Sequence, residues 1–118
     1  MRFGECFKTP EVEGREKHTP IIEGPTSVAV GEFFDLEVIV GKEVTHPNNV
    51  EHHIKWVQLF ARFEDGNISH LATFDYAPTL TEPRSKATLA FEKSATVFAI
   101  AYCNIHGLWE NSFSIKVG

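Results

Sequence analysis

The stretch Phe33-Phe34-Asp35-Leu36-Glu37-Val38-Ile39-Val40 decides the fold class. Phe34, Leu36, Val38 and Val40 fall on one side of an extended chain, and Asp35 and Glu37 on the other. This is the period-two alternation of a half-buried strand, and Gly31 and Gly41 bound it. Downstream, Ile54 to Phe63 carries Ile54, Trp56, Val57, Leu59, Phe60 and Phe63, which predicts a strand buried on both faces. Glu64-Asp65-Gly66-Asn67 then reads as a turn with Gly and Asn in positive-φ positions. Further strands are expected at His70 to Tyr76, Ala87 to Phe91, Ala95 to Tyr102 and Ser112 to Val117. Pro78 and Pro83 sit in a connection, where they remove no ladder hydrogen bond. Upstream, a short strand is expected around Val28 to Val30.

About seven short strands without a helical period predict an all-β chain, an immunoglobulin-like antiparallel β-sandwich or barrel. Residues 1–24, with Pro10 and Pro20, read as an irregular N-terminal arm laid over the sheets. At 118 residues and without internal repeats, the chain is expected to form one domain, 1–118. Hydrophobic residues make up 42% and charged residues 23%, which argues for a folded core over disorder. A net charge of −5 without any Lys/Arg block argues against nucleic acid as a partner. The longest apolar run, Ala95 to Cys103, is nine residues, against the roughly 20 that a membrane-spanning helix needs. Met1 to Lys17 mixes charges with no apolar core and is no secretory signal, so a cytoplasmic protein is expected. Two cysteines cannot make a disulfide framework.

The chemistry lies in the placement of the histidines. Three fall in one inter-strand loop, within His46-Pro47-Asn48-Asn49-Val50-Glu51-His52-His53, and one in the arm, within Glu16-Lys17-His18-Thr19-Pro20. Another, His106, follows Cys103 at a spacing of three, where a strand end and a tight turn suit a metal ion. On that pair alone, a buried structural cysteine beside a surface histidine is an equal reading. His46 and His52 shift the balance, because a Pro-stiffened loop can turn two imidazoles toward one point. His52 and His53 are neighbours and point to opposite sides of an extended chain, so one ligand is expected from the pair. His70 stands outside any cluster and is expected to be structural. Glu16, Lys17 and His18 read as a solvated face unless the arm folds over the same metal. Four imidazoles and one thiolate exceed what tetrahedral zinc accepts. They leave one octahedral position open, which suits redox-active iron.

The blocks Glu16-Lys17-His18-x-Pro20, His46-Pro47-Asn48-x-x-Glu51-His52-His53 and Cys103-Asn104-x-His106-Gly107-Leu108-Trp109-Glu110 resemble superoxide reductases. The likeness is to the one-iron, neelaredoxin-like type, related to the catalytic domain of desulfoferrodoxin, and it runs from about Gly14 to the C-terminus. It implies one iron per chain, Fe(2+)/Fe(3+), with His18, His46, His52 and His106 equatorial and Cys103 axial. It implies that Glu16 can take the sixth position in the ferric state, and that Lys17 guides superoxide and assists protonation. The reaction implied converts superoxide, one electron and two protons to hydrogen peroxide without dioxygen. A rubredoxin or similar small carrier is the implied donor, and a homo-oligomer (tetramer or dimer) the implied assembly. The arm holds only Cys6, so a four-cysteine rubredoxin-like centre has no ligands here. Two other readings compete. A blue-copper electron carrier also uses a β-sandwich with late Cys and His ligands, but it adds an axial Met, and the one Met here is Met1. A structural zinc site leaves ligands in surplus.

Overall fold

The computed structural model describes residues 1–12 and 17–118. Among the described residues, eight strands run in chain order: β1 (Pro20–Glu23), β2 (Ser27–Val28), β3 (Phe34–Val40), β4 (Ile54–Phe63), β5 (Ile68–Asp75), β6 (Arg84–Leu89), β7 (Ala95–Cys103) and β8 (Gly107–Val117). They form two sheets, one of three strands ordered β1-β3-β6 and one of five ordered β2-β8-β7-β4-β5. All pairings are antiparallel except β2 with β8, which is parallel. The all-β sandwich expected from alternation is the fold found.

The core lies between the sheets. From β3 the expected face, Phe34, Leu36, Val38 and Val40, is buried. It meets Val57, Leu59 and Ala61 of β4, Val97, Ala99 and Ala101 of β7, and Ile115 of β8. The inward positions of β7 are the small Val97, Ala99 and Ala101, packed with larger side chains of β3 and β4. Asp35 and Glu37 point outward, where Thr88 donates to Asp35 and Arg84 donates to Glu37 across the sheet. β4 differs from the both-faces-buried expectation. Val57, Leu59 and Ala61 are inside, while Trp56, Gln58 and Phe60 lie half-buried on the outer face.

Other boundaries moved for local reasons. β8 begins at Gly107, well before Ser112, because the turn after Cys103 is short enough for pairing to resume at once, Cys103 opposite Gly107. In the Glu64–Asn67 turn, Gly66 alone has positive φ (+87°), and Asn67 instead donates its N–H to the Asp65 carboxylate. The arm is less irregular than expected. Pro20–Glu23 is strand β1, pairing with β3 in the register Pro20 opposite Val40. A proline is tolerated at the first position of an edge strand, and the two isoleucines that follow are good strand formers. Ahead of it, two short 3₁₀ turns, Phe3–Cys6 and Pro10–Val12, flank Lys8, which bridges to Trp109 on β8.

Candidate metal centre

Three chain segments meet at one end of the sandwich. The first is the stretch Lys17-His18-Thr19 that leads into β1. The second is the β3–β4 connection with His46 and His52, and the third is the β7–β8 turn with Cys103 and His106. The donor atoms of His18, His46, His52 and Cys103 all lie within 4.8 Å of one another. Metal–ligand bonds of about 2.0–2.3 Å place donors around one ion at most about 4.6 Å apart, so a closure of a few tenths of an ångström brings this cluster onto a single ion. His106 joins through Nδ1, which is 3.1 Å from His18 Nε2 and 3.8 Å from Cys103 Sγ.

Each donor is aimed by its surroundings. Cys103 is fully buried at the end of β7, and its sulfur accepts the His106 backbone N–H at 3.4 Å. That contact orients the sulfur toward the turn. His46 Nδ1–H donates to the Pro47 carbonyl at 2.7 Å, which leaves Nε2 as the free donor, 3.5 Å from Cys103 Sγ. A ring nitrogen tied to a carbonyl fixes the tautomer and orients the other nitrogen. Burial, with smaller contributions from the nearby charges of His18, His52 and Lys17, lowers the His46 pKa from 6.5 to about 4. Burial also lowers that of His52. Both rings are therefore neutral near pH 7, as ligation requires. The His52 Nε2 atom decides the fit: it is buried and has no hydrogen-bond partner. Such an orphaned acceptor is costly unless something binds it, and a metal ion in this cluster satisfies it.

Sequence reasoning and structure meet unevenly. His18, His46, His52, Cys103 and His106 are brought together. Lys17 is half-buried and its charge reaches His46 and His52. Glu16 lies outside the described residues. His53 turns away, donating Nδ1–H to the Asn49 carbonyl at 3.1 Å. His70 is exposed on β5, bonded to Thr73 at 2.8 Å. Cys6 is exposed beside Met1, 3.6 Å from its sulfur, so Met1 gives no axial copper ligand.

Residues without a role in the sequence reading lock the ligand loops. Asn104 accepts the His53 N–H at 2.8 Å and donates to the Glu51 carbonyl at 3.0 Å, joining the histidine loop to the cysteine turn. Asn49 accepts the His52 N–H at 2.8 Å. Asn48 clamps the 79–81 loop, accepting from Thr79 N–H at 2.9 Å and donating to the Thr81 carbonyl at 3.1 Å. Trp109 stacks on His18 at 4.8 Å with 13° between planes. The signal available was only that these residues stand inside the same blocks as the ligands.

Residues 11–112 match the desulfoferrodoxin family. The chain belongs to it. This desulfoferrodoxin-family protein is 41% identical over 116 residues to the superoxide reductase of Pyrococcus abyssi, covering 95% of this chain and 97% of the relative. It is 32% identical over 130 residues to the neelaredoxin of Megalodesulfovibrio gigas, covering 99% of each. Among solved structures, the superoxide reductase (neelaredoxin) of Ignicoccus hospitalis superposes with a TM-score of 0.92 at 38% identity over 100% of both chains. The family protein has no helix among its described residues long and apolar enough to cross a membrane.

Proposed function

We propose that the protein is a superoxide reductase, which combines superoxide, one electron and two protons into hydrogen peroxide and forms no dioxygen. One observation carries the reading: four imidazole nitrogens and a buried cysteine sulfur, from three separate segments, converge in a chain of the desulfoferrodoxin family. His18, His46, His52, His106 and Cys103 would hold one iron per chain, whose Fe(II)/Fe(III) couple supplies the electron. Five donors exceed the four of a tetrahedral zinc site and the three strong ones of blue copper.

The rest of the work falls to the chain. The His106 N–H points at the Cys103 sulfur, and the sandwich core shields that sulfur from water. Pro47 and the three asparagines keep the imidazoles aimed, so little reorganisation accompanies electron transfer. The substrate is an anion and the protein carries −5, so bulk electrostatics repel it. A cation beside the site reverses that repulsion at short range. Lys17, whose charge is felt by His46 and His52, takes this role, and its Nζ holds a proton for the peroxide that forms. Glu16 is the carboxylate assigned to the oxidised site. Re-reduction needs a small one-electron carrier of rubredoxin type, approaching from the exposed His106 side.

A second copy of the chain fits the outer face of the five-stranded sheet. The outer face of the other sheet is charged, with Glu37 and Arg84 paired on it. The five-stranded sheet instead presents Trp56, Phe60, Ile100, Tyr102 and Leu108, joined by Phe3 and Phe7 of the arm around a groove of about 480 Å³. Outward apolar side chains on a sheet mark an interface. Four strands about 4.8 Å apart and about 24 Å long give a flat footprint of about 450 Å². Side-chain relief and the arm extend this toward the roughly 800 Å² per partner of a stable complex. The groove lining is uncharged, so two copies of an acidic protein meet there without repulsion, and Phe3, 70% exposed, is a knob beside a hole on the same patch. A two-fold dimer needs that self-complementarity.

The decisive experiment is stoichiometric. Fully ferrous protein is mixed anaerobically with a sub-equivalent dose of superoxide, and peroxide and dioxygen are counted. One peroxide per superoxide, no dioxygen and oxidised iron support the reading. Half a peroxide with matching dioxygen identifies a dismutase, and decay no faster than in buffer leaves an electron carrier.

A further inference from the structure

Lys8 lies nine residues before Lys17 in sequence, yet its side chain ends at the metal cluster. Its Nζ donates to the carbonyl oxygen of His106 at 2.8 Å and stands 5.1 Å from the centre of the Trp109 ring. The same carbonyl accepts the Trp109 indole N–H at 3.2 Å, and Trp109 in turn stacks on His18. The Lys8 backbone is fixed as well: its N–H donates to the Leu108 carbonyl at 2.9 Å, and its carbonyl accepts the Glu110 N–H at 2.8 Å. Backbone and side chain together clasp the start of β8, the strand that follows directly from the Cys103–His106 turn.

We propose that Lys8 is a positioning residue of the metal centre: it pins the N-terminal arm to the Cys103–His106 turn and keeps a fixed positive charge beside it. The inference rests on the metal-binding reading above. His18 reaches the cluster on a segment held downstream by β1, and Lys8 is its upstream clasp. The charge has a direct consequence. A cation held against a carbonyl and an aromatic face, close to Cys103 and His106, favours the state of the centre with less positive charge, which is the reduced one. Lys8 is itself exposed, so its effect comes from its fixed place against the turn, and a lysine more than a Debye length away is screened.

The test compares Lys8→Met, which keeps the aliphatic stem over Trp109 but loses the charge and the donor, with Lys8→Arg, which keeps both. Lys8→Gln serves as a second neutral variant should the first fold poorly. Lys116→Met changes net charge equally, but it sits nine residues further along β8, about 30 Å away at strand rise. Two quantities are read: the reduction potential of the iron-loaded protein and, in the metal-free protein, hydrogen exchange of the Lys8 and Glu110 amides. The expected result is a lowered potential and exchange faster by about tenfold or more in the neutral Lys8 variants. Lys8→Arg and Lys116→Met should match the wild type in both. Potentials of the neutral variants equal to that of Lys116→Met overturn the charge assignment, and unaltered exchange overturns the clasp. Failure of the wild type to take up metal refutes the functional reading instead, and the exchange measurement on metal-free protein still decides the clasp.

Discussion

Gly41 couples the fold to the ligand cluster through His46, and Gly41→Ala is the substitution that exposes the link. Gly41 ends β3 with φ +85°, and a Cβ added there would lie 2.7 Å from the backbone N of His46 and 3.3 Å from its Cβ. Two costs follow. The left-handed conformation costs a residue with a Cβ about 1–2 kcal/mol. The clash with backbone nitrogen cannot be relieved by rotating a side chain, so the His46 loop itself must shift. Gly66 supplies the matched control: its φ is +87°, and its added Cβ meets only the flexible end of Arg62 at 3.6 Å. Gly66→Ala should therefore lose about 1–2 kcal/mol in urea unfolding of the metal-free protein and keep wild-type metal affinity. Gly41→Ala should lose more, about 2–5 kcal/mol when overpacking adds its usual 1–3. It should also weaken binding of cobalt(II), used as a spectroscopic probe, by about tenfold or more because His46 no longer points at Cys103. The two assays together isolate the clash from the strain. Equal stability losses in the two variants, with cobalt affinity unchanged in both, would refute the claim that Gly41 is what lets His46 reach the site.

Three further outcomes are expected. The His46 pKa is depressed to about 4 by burial, so between that value and 6.5 the unfolded chain binds more protons. The metal-free protein should be fully stable above pH 6.5 and lose about 3 kcal/mol as pH falls to about 4. Urea titrations across that window check it, and a His46→Gln variant with an undiminished slope would assign the effect elsewhere. Lys17→Ala should slow the reaction with superoxide by about tenfold or less and flatten its dependence on ionic strength. Stopped-flow rates that are identical at low and high salt for both proteins would remove Lys17 from the steering role. Ile100→Glu, placed in the middle of the apolar outer face, should convert a dimer or larger assembly to monomer in light scattering at micromolar concentration. A wild-type protein that is already monomeric there, or an unchanged assembly in the variant, would rule out that face as the contact.

What the sequence made legible follows the physics of each element. β3 could be read from Phe34 to Val38 because one face is dry and the other wet, so that alternation and burial coincide there; Ile39, on the outward side, is buried as well. β4 misled because its outer face also carries Trp56 and Phe60, half-buried beside Phe3 and Phe7 of the arm, and alternation cannot tell that partial cover from burial between the sheets. β1 was hidden by Pro20, a residue that argues against a strand interior but not against the first position of an edge strand. The cluster was legible in its ligand types, since cysteine and histidine carry their chemistry in the side chain. Its supports were not, since Asn104, Asn49 and Lys8 act through backbone carbonyls and N–H groups that no spacing rule encodes. The same distinction explains why Gly41 reads as a strand terminator in sequence and as a determinant of His46 placement in three dimensions. Its missing Cβ matters only because the loop folds back to put the His46 nitrogen where that atom would stand.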